Sequence, residues 1–532
     1  MASANTASLA LLVADTDETQ RYVFESNKLP EIRGASRLLF DLNQQCEDLV
    51  TQASGEVIYA GGGSLLALVP NTQGAQIATQ IEQLYPTQTG VATITAAVRP
   101  LPPSYQEKAF GQYVGWATSW LTRRKESKSA PPFWAAMPFT VRCLSCMKRP
   151  TDPQYITDNF PDPICAICFQ KREASQRNIW IDQFESYLRA LDHQNLFERY
   201  YGAQPANHIQ STYTLNEISA ANRARKGYVA LIYLDGDRIG RQLRDLPRKA
   251  YRNFSRTLRQ ATREAVFSAL ATHLKPTQVP LSDLRPQSHN TKNSTAVVHP
   301  FEIITIGGDD VLLIVPADAG IPVATSIGQK FRNIVAEQSG RNVSMSAGVI
   351  LADDHTPIRT MVDLAKQALQ QAKKARHDVG GLDFHVLKSA DMLDSKLGKM
   401  RQYPPYLQEG SSTKQRVRLL GRPYDLDSMA ELWQGLGDLK KIGFANSQMH
   451  QLSQVLLEGR AEATLYYAYQ TARDEKKGHY QLLTQLLQKL QATGETHPLP
   501  WEQVNNAYHG YQTALWDIAE LYPFHPAKQQ NA

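Results

Sequence analysis

The chain has 532 residues and a formal charge of +6, with 42% hydrophobic and 20% charged residues. At roughly 100 to 200 residues per domain, this length excludes a single small core and points to about three or four domains. The balance excludes a disordered chain, and no run of about 18 apolar residues exists to cross a membrane; the mild basic excess is compatible with nucleotide or nucleic-acid contact without establishing it.

In chain order, "SLALLVAD" lacks a basic n-region and is too short for a signal peptide, so Leu9 to Ala14 reads as a strand. A helix (Glu31 to Leu49), a strand (Val57 to Ala60), a Gly61-Gly62-Gly63 turn and a strand (Leu65 to Val69) follow. A helix (Ala75 to Leu84) and a strand (Thr93 to Val98) complete a β-α-β-β-α-β unit. Next comes a cysteine-bearing insert, roughly Arg99 to Arg225. The same order then returns: strand Tyr228 to Asp235, a long helix from about Pro247 to Leu274, and "FEIITI" and "VLLIV" as a hairpin around Gly-Gly-Asp-Asp. A helix near Ile321 to Gln338, a strand Asn342 to Leu351 and the extra helix "IRTMVDLAKQALQQAKKAR" end the repeat. Pro276 to Pro300 is polar and proline-bearing and reads as a mobile surface loop. Beyond about Lys388 the apolar spacing is helical. Basic runs at Arg123 to Lys128, Asn222 to Lys226 and Arg248 to Arg259 suit nucleic acid, the last one interleaving aromatics with arginines, although solvated helix faces are the commoner origin of such runs.

Two constellations carry chemistry. In a β-α-β-β-α-β sheet, strand one and the hairpin are central neighbours, so Asp235 faces Asp309 and Asp310. Three converging carboxylates raise one another's pKa values and call for cations. Mg²⁺ (or Mn²⁺) is the hard ion that such a set holds together with substrate phosphates. Gly307 and Gly308 carry no Cβ and let a triphosphate approach the backbone; the alternative is an ordinary Gly-Asp hairpin turn. Gly236 precedes a helix start near Gly240 whose free N–H groups suit phosphate. Asp237 is either a ligand or a helix cap, and Lys373 either reaches a phosphate or is solvated. The second constellation is Cys143, Cys146, Cys165 and Cys168, with 18 residues between the two C-x-x-C pairs. This is zinc-ribbon spacing, a closed Zn²⁺ site that supports folding, with redox pairs or free thiols as the alternatives. Cys46 reads as a core thiol. So few cysteines fit a reducing, cytoplasmic setting. Of the histidines, His377 beside Asp378 reads as surface loop, and no G-x-S-x-G or H-E-x-x-H site occurs.

Several segments, in order over about residues 5 to 385, resemble the large Palm-domain subunit of type III CRISPR effector complexes, the so-called CRISPR polymerase. They are "FESNKLPEIRGASRLL", "GGGSLLALVP", the paired C-x-x-C insert, "LDGDRIG", "IGGDDVLLIVP" and "SAGVILADDHTPIRTMVDLAKQALQQAKK". The resemblance implies an α+β fold. Its parts are a non-catalytic first Palm domain (1–98), a helical insert with the zinc ribbon (99–225), a catalytic second Palm domain (226–387) and a helical C-terminal domain (388–532). It implies target-RNA-activated joining of ATP into cyclic oligoadenylate, with ATP between the two Palms. Asp235 would bridge the metals, Asp309 would help hold them and position the attacking hydroxyl, and Asp310 would complete the set. Nucleotide contacts would come from Gly236, Asp237, Gly307, Gly308 and Lys373. The first Palm carries Gly62, Gly63 and Ser64 where its sibling carries the catalytic turn, and would bind nucleotide without metals; Asp15 and Asp17 would be polar contacts at most. Implied partners are guide RNA, target RNA and other CRISPR-associated subunits, with a small helical subunit at the C-terminal domain and no membrane. Many members begin with an HD nuclease domain; here the first Palm strand starts within ten residues, so HD-type DNA cleavage is not expected. The competing readings are a scaffold subunit of the same complex and a stand-alone GGDEF-like nucleotidyl cyclase.

Overall fold

The computed structural model describes residues 8–102, 104–128, 139–156, 162–190, 193–202, 209–282, 294–376, 378–388, 394, 396–401, 406–408, 416–474, 478–490, 500–503 and 509–526. It is an α+β protein built on two sheets of the same topology. In the first, the order is Glu56–Gly61, Ser64–Pro70, Leu9–Asp17, Thr93–Pro100. In the second, Glu302–Gly307, Asp310–Pro316, Tyr228–Gly236 and Met345–Asp353 stand in the same relative places. Each hairpin therefore lies beside the first strand of its own unit, with antiparallel pairing throughout these four strands. The second sheet goes on past the predicted helix Ile358–Arg376 with Gly381–Val386, parallel to Met345–Asp353, and ends on Tyr424–Asp425.

The strands are apolar on both faces because both faces are covered. Along Leu9–Asp17, Leu11 and Val13 pack on the side of the helix Phe110–Ser127. Ala10, Leu12 and Ala14 pack on the side of the helices Leu29–Gln52 and Asn71–Thr89. Both core clusters also contain second-Palm residues, Ala230 and Ile232 in one and Val229 and Leu231 in the other. The two sheets thus share cores, as their alternating faces allow.

Two expectations need correction. The segment 276–300 is not wholly loop: Thr277–Pro280 and Thr295–His299 pair antiparallel, and Gln210–Ser211 from the insert adds a third strand. Residues 283–293 of that segment, like His377, lie outside the described residues. The C-terminal part has the helices Leu426–Lys441, Asn446–Val455, Arg460–Arg473, His479–Leu490 and Leu515–Leu521, but it also carries a four-stranded sheet of two- to four-residue strands. Strands that short leave no readable alternation in the sequence.

Candidate active site between the Palms

The central strand Tyr228–Gly236 ends in the candidate site. Val311 pairs with Leu234 in antiparallel register, so the next pair outward is Asp310 beside Asp235. Asp309 is close by: a Cβ on Gly236 would lie 2.7 Å from Asp309 Oδ2. Burial, with Asp235 alongside, pushes Asp309 up to about 6. Burial, the Asp235 charge, a hydrogen bond with Asp235 and the Asp309 charge push Asp310 up to about 9. Lys373, on the helix Ile358–Arg376, ion-pairs with Asp235 and donates to the Gly236 carbonyl at 2.8 Å. Its ammonium offsets one carboxylate of three.

Hard divalent cations take this donor set. The raised carboxyls record repulsion that a cation would relieve, so the residues fit Mg²⁺ or Mn²⁺. The site is nonetheless open. Among the described residues, the groups of three or more ligands within 4.8 Å are the four cysteines and Asp353, Asp354 and His355. The latter group lies at the far end of the sheet, where Asp353 pairs with Tyr228.

Asp237 is not with the other carboxylates and caps no helix. It is buried, accepting from Ser344 Oγ and Ser346 Oγ at 2.8 Å, and its N–H donates to the Ser344 carbonyl at 2.9 Å. The helix after it, Ile239–Arg244, has only six residues and begins at Arg238 with no side-chain cap. The Asp-Gly-Asp spacing alone could not separate these roles, because the twist after Gly236 decides which way each carboxylate turns.

The two glycine turns meet across the interface. A Cβ on Gly307 would fall 2.6 Å from the Gly62 Cα, and one on Gly62 would fall 3.2 Å from the Gly307 Cα. Gly307 is therefore required to be glycine by the Palm–Palm approach, a reason beyond any phosphate contact, and it also lines the cavity between the turns. Gly308 (φ +67°) lies under the Tyr59 hydroxyl, which itself donates to the Gly61 carbonyl at 3.1 Å. The Gly63 carbonyl accepts from Thr16, and Ser64 Oγ donates to Asp15 at 2.5 Å. Asp15 and Asp17 are in turn paired with Lys125 and Lys128 of the insert. That pairing uses up much of the predicted basic run.

Beside these turns lies a cavity of about 790 Å³, reached by Asp310, Gly61 to Ser64, and Gly307 and Gly308. Its walls include Ser36, Phe40, Asn43 and Trp180 together with Arg256, Arg259 and Arg263. Phe40 and Trp180 meet edge to face at 5.9 Å. Sequence reading missed Tyr59, Trp180 and the arginine role, although Arg256 and Arg259 lie in a run it had marked. The structure divides that run: Tyr251 and Phe254 are core, Arg248 and Arg252 pair with Glu56, and Arg256 and Arg259 face the cavity.

Cys143, Cys146, Cys165 and Cys168 are all buried and mutually within 4.8 Å, with Cys146 and Cys165 sulfurs 3.9 Å apart. Tetrahedral bonds of about 2.3 Å put thiolate sulfurs about 3.8 Å apart, so the cluster fits a closed tetrahedral ion. Shared sulfur hydrogen bonds push Cys143 down and Cys165 and Cys168 up, while Cys146, despite an opposing bond to Cys143, is brought down to about 6. Four crowded sulfurs cannot all ionise without a cation.

Residues 8–101 and 228–379 match the family described as Cas10/Cmr2, second palm domain. No curated protein matched in sequence. Among solved structures, Csm1 from T. onnurineus superposes with TM-score 0.56 at 12% identity, over 98% of this chain and 70% of that one. The Csm1–Csm4 cassette crystallised with cA4 gives TM-score 0.54 at 14% identity, over 98% and 70%. The cassette with AMPPNP gives 0.51 at 13%, over 98% and 69%. At these identities the likeness is one of fold. The matched regions are those that build the two sheets and their glycine turns, so across them the chain is similar to the Cas10/Cmr2 family of palm-domain proteins.

Proposed function

We propose that this chain is the large subunit of a type III CRISPR ribonucleoprotein, with guide RNA and further CRISPR-associated subunits as partners. Within it, target RNA would switch on synthesis of cyclic oligoadenylate from ATP. The observation that carries the reading is the meeting of Asp235, near the end of one strand, with Asp310 at the start of its neighbour and Asp309 in the turn before it, Asp310 lining the Palm–Palm cavity. In the proposed reaction the 3′-hydroxyl of one adenylate attacks the α-phosphorus of an ATP. A P–O bond forms, the bond to pyrophosphate breaks, and the hydroxyl proton leaves to a carboxylate or solvent. When bound, Mg²⁺ would acidify that hydroxyl and neutralise the departing pyrophosphate.

The chain's own residues supply the rest. The three carboxylates would hold the cations, and Lys373 would exchange its pairing with Asp235 for a phosphate oxygen. The close approach of Gly307 to Gly62 would set how near a nucleotide on the first Palm comes to the aspartates. The first Palm presents Gly62, Gly63 and Ser64 instead of a carboxylate turn and would bind nucleotide without cations. Zn²⁺ in the four-cysteine cluster would hold the insert's fold, since four thiolates leave no open position.

The test is incubation of the assembled complex with labelled ATP and Mg²⁺, with and without matching target RNA. Cyclic oligoadenylate should appear only with target, and Asp309→Ala with Asp310→Ala should abolish it while assembly survives. An intact complex that makes no product under any condition would instead point to a scaffold subunit.

A further inference from the structure

The helix Arg248–His273 presents Arg256, Arg259 and Arg263 to the inter-Palm cavity. Their spacing of three and four residues sets them on one face, stepping about 4.5 and 6 Å along the axis. Upstream on the same helix, Arg248 and Arg252 share Glu56, and Arg248 also pairs with Glu107. Among the described residues, neither Arg256 nor Arg263 makes an ion pair within 4.0 Å. Arg259 donates to the Ala60 carbonyl at 2.9 Å, beside the first Palm's glycine turn, and Glu47 is the carboxylate whose charge it feels. Burial and the neighbouring Arg259 hold the Arg263 guanidinium below its ordinary range, the mark of cations crowded without a counter-charge. The other acids on the cavity wall are Asp15, which is held by Ser64 and Lys125, and Asp310 of the aspartate site.

We infer that Arg256, Arg259 and Arg263 form a wall that holds the phosphodiester backbone of a nucleotide chain as it is extended at the aspartate site. The inference rests on the polymerase reading above and adds where the product lies. A row about 10 Å long matches successive linkages of a strand, whereas the phosphates of one triphosphate crowd within a single guanidinium's reach. Guanidiniums suit this task because they stay charged and grip phosphate through two N–H groups. Trp180 and Phe40 line the same cavity and offer apolar faces to bases. The wall would keep short linear intermediates from escaping before the ring closes.

The test compares equilibrium binding of linear 3′–5′ tetraadenylate and of ATP to the full chain, across a salt series. The double variants are Arg256→Gln with Arg263→Gln, and Arg256→Lys with Arg263→Lys. The glutamine pair should weaken tetraadenylate by about 10-fold or more, with less than about a twofold effect on ATP. It should also flatten the salt dependence of tetraadenylate binding by about 1.4 in log–log slope, whereas the lysine pair keeps the slope. Equal weakening of ATP would assign the row to a triphosphate and overturn the inference, and unchanged tetraadenylate binding would overturn it outright. If the unaltered chain bound no ATP, the polymerase reading would fall and the wall with it; retained ATP binding separates the two failures.

Discussion

At the scale of single residues, the aspartate trio is the most consequential feature because its charge is held at a cost. Asp309 and Asp310 have folded-state pKa values of about 6 and about 9, above the unfolded carboxylate's 3.8. The sign follows. Below about pH 4 both states hold the proton; as pH rises to about 9 the unfolded chain releases it first, so stability falls through that window. Asp310→Asn should therefore raise the melting temperature of the metal-free protein at pH 8 and leave it unchanged near pH 4. It should also remove most of the stabilisation that added Mg²⁺ gives the unaltered chain. Thermal melts at the two pH values, with and without Mg²⁺, check this; a variant less stable at pH 8 would show that Asp310 is held by favourable contacts instead. Asp237, two residues from Asp235, lies outside this set, since two serines satisfy it in the core.

At the scale of elements, the first-Palm helix Leu29–Gln52 joins the cysteine module to the Gly-Gly-Asp-Asp hairpin. Glu31, buried, accepts from Ser145 at 2.6 Å and Arg172 at 2.7 Å, both from the cysteine module. Two residues on, Arg33 grips Glu302 and donates to the Thr212 carbonyl at 2.5 Å, and Ser36 donates to the Ile304 carbonyl. Between them Gly34 packs on the Lys171 carbonyl, where a Cβ would stand 1.7 Å away. Glu302 and Ile304 lie on the strand that leads into Gly307, so one short stretch of helix is keyed to both modules. Cys143→Ser with Cys165→Ser should empty the metal site and lower stability by several kcal/mol. It should also increase hydrogen exchange across residues 29–36, beyond the insert itself. Metal content and exchange mass spectrometry together check this; unaltered zinc content would refute the ribbon.

At the scale of the whole molecule, the second Palm and the C-terminal helices are joined by a buried charge network. Arg422 donates to the Phe384 carbonyl at 2.8 Å and to Glu520 at 2.5 Å, and stacks over the Phe384 ring at 4.2 Å. Asp517 accepts from the Gly421 and Arg422 N–H groups and from the Tyr424 hydroxyl. Removing one partner of such a set strands the others without water, a loss of about 3–5 kcal/mol. Arg422→Ala should lower the melting temperature and expose strand Gly381–Val386 and helix Leu515–Leu521 to exchange together. Exchange confined to the C-terminal helices would mean that the network is not what couples them.

The sequence by itself determined the repeated β-α-β-β-α-β order, because alternation and helical periodicity are local, and the helix Ile358–Arg376 emerged with its predicted ends. It also supplied the four cysteines as a set, since paired C-x-x-C spacing is a covalent constraint that folding only closes. Tertiary structure decided the rest. Gly307 matters because Gly62, some 245 residues earlier in sequence, arrives at its Cα. Arg256 and Arg259 became cavity residues while Arg248 and Arg252 were consumed by Glu56, although one basic run holds all four. The short C-terminal strands exist only as paired neighbours. Pattern within one element fixes which face is buried; which charge finds a partner depends on the element that arrives across from it, and no spacing along the chain encodes that.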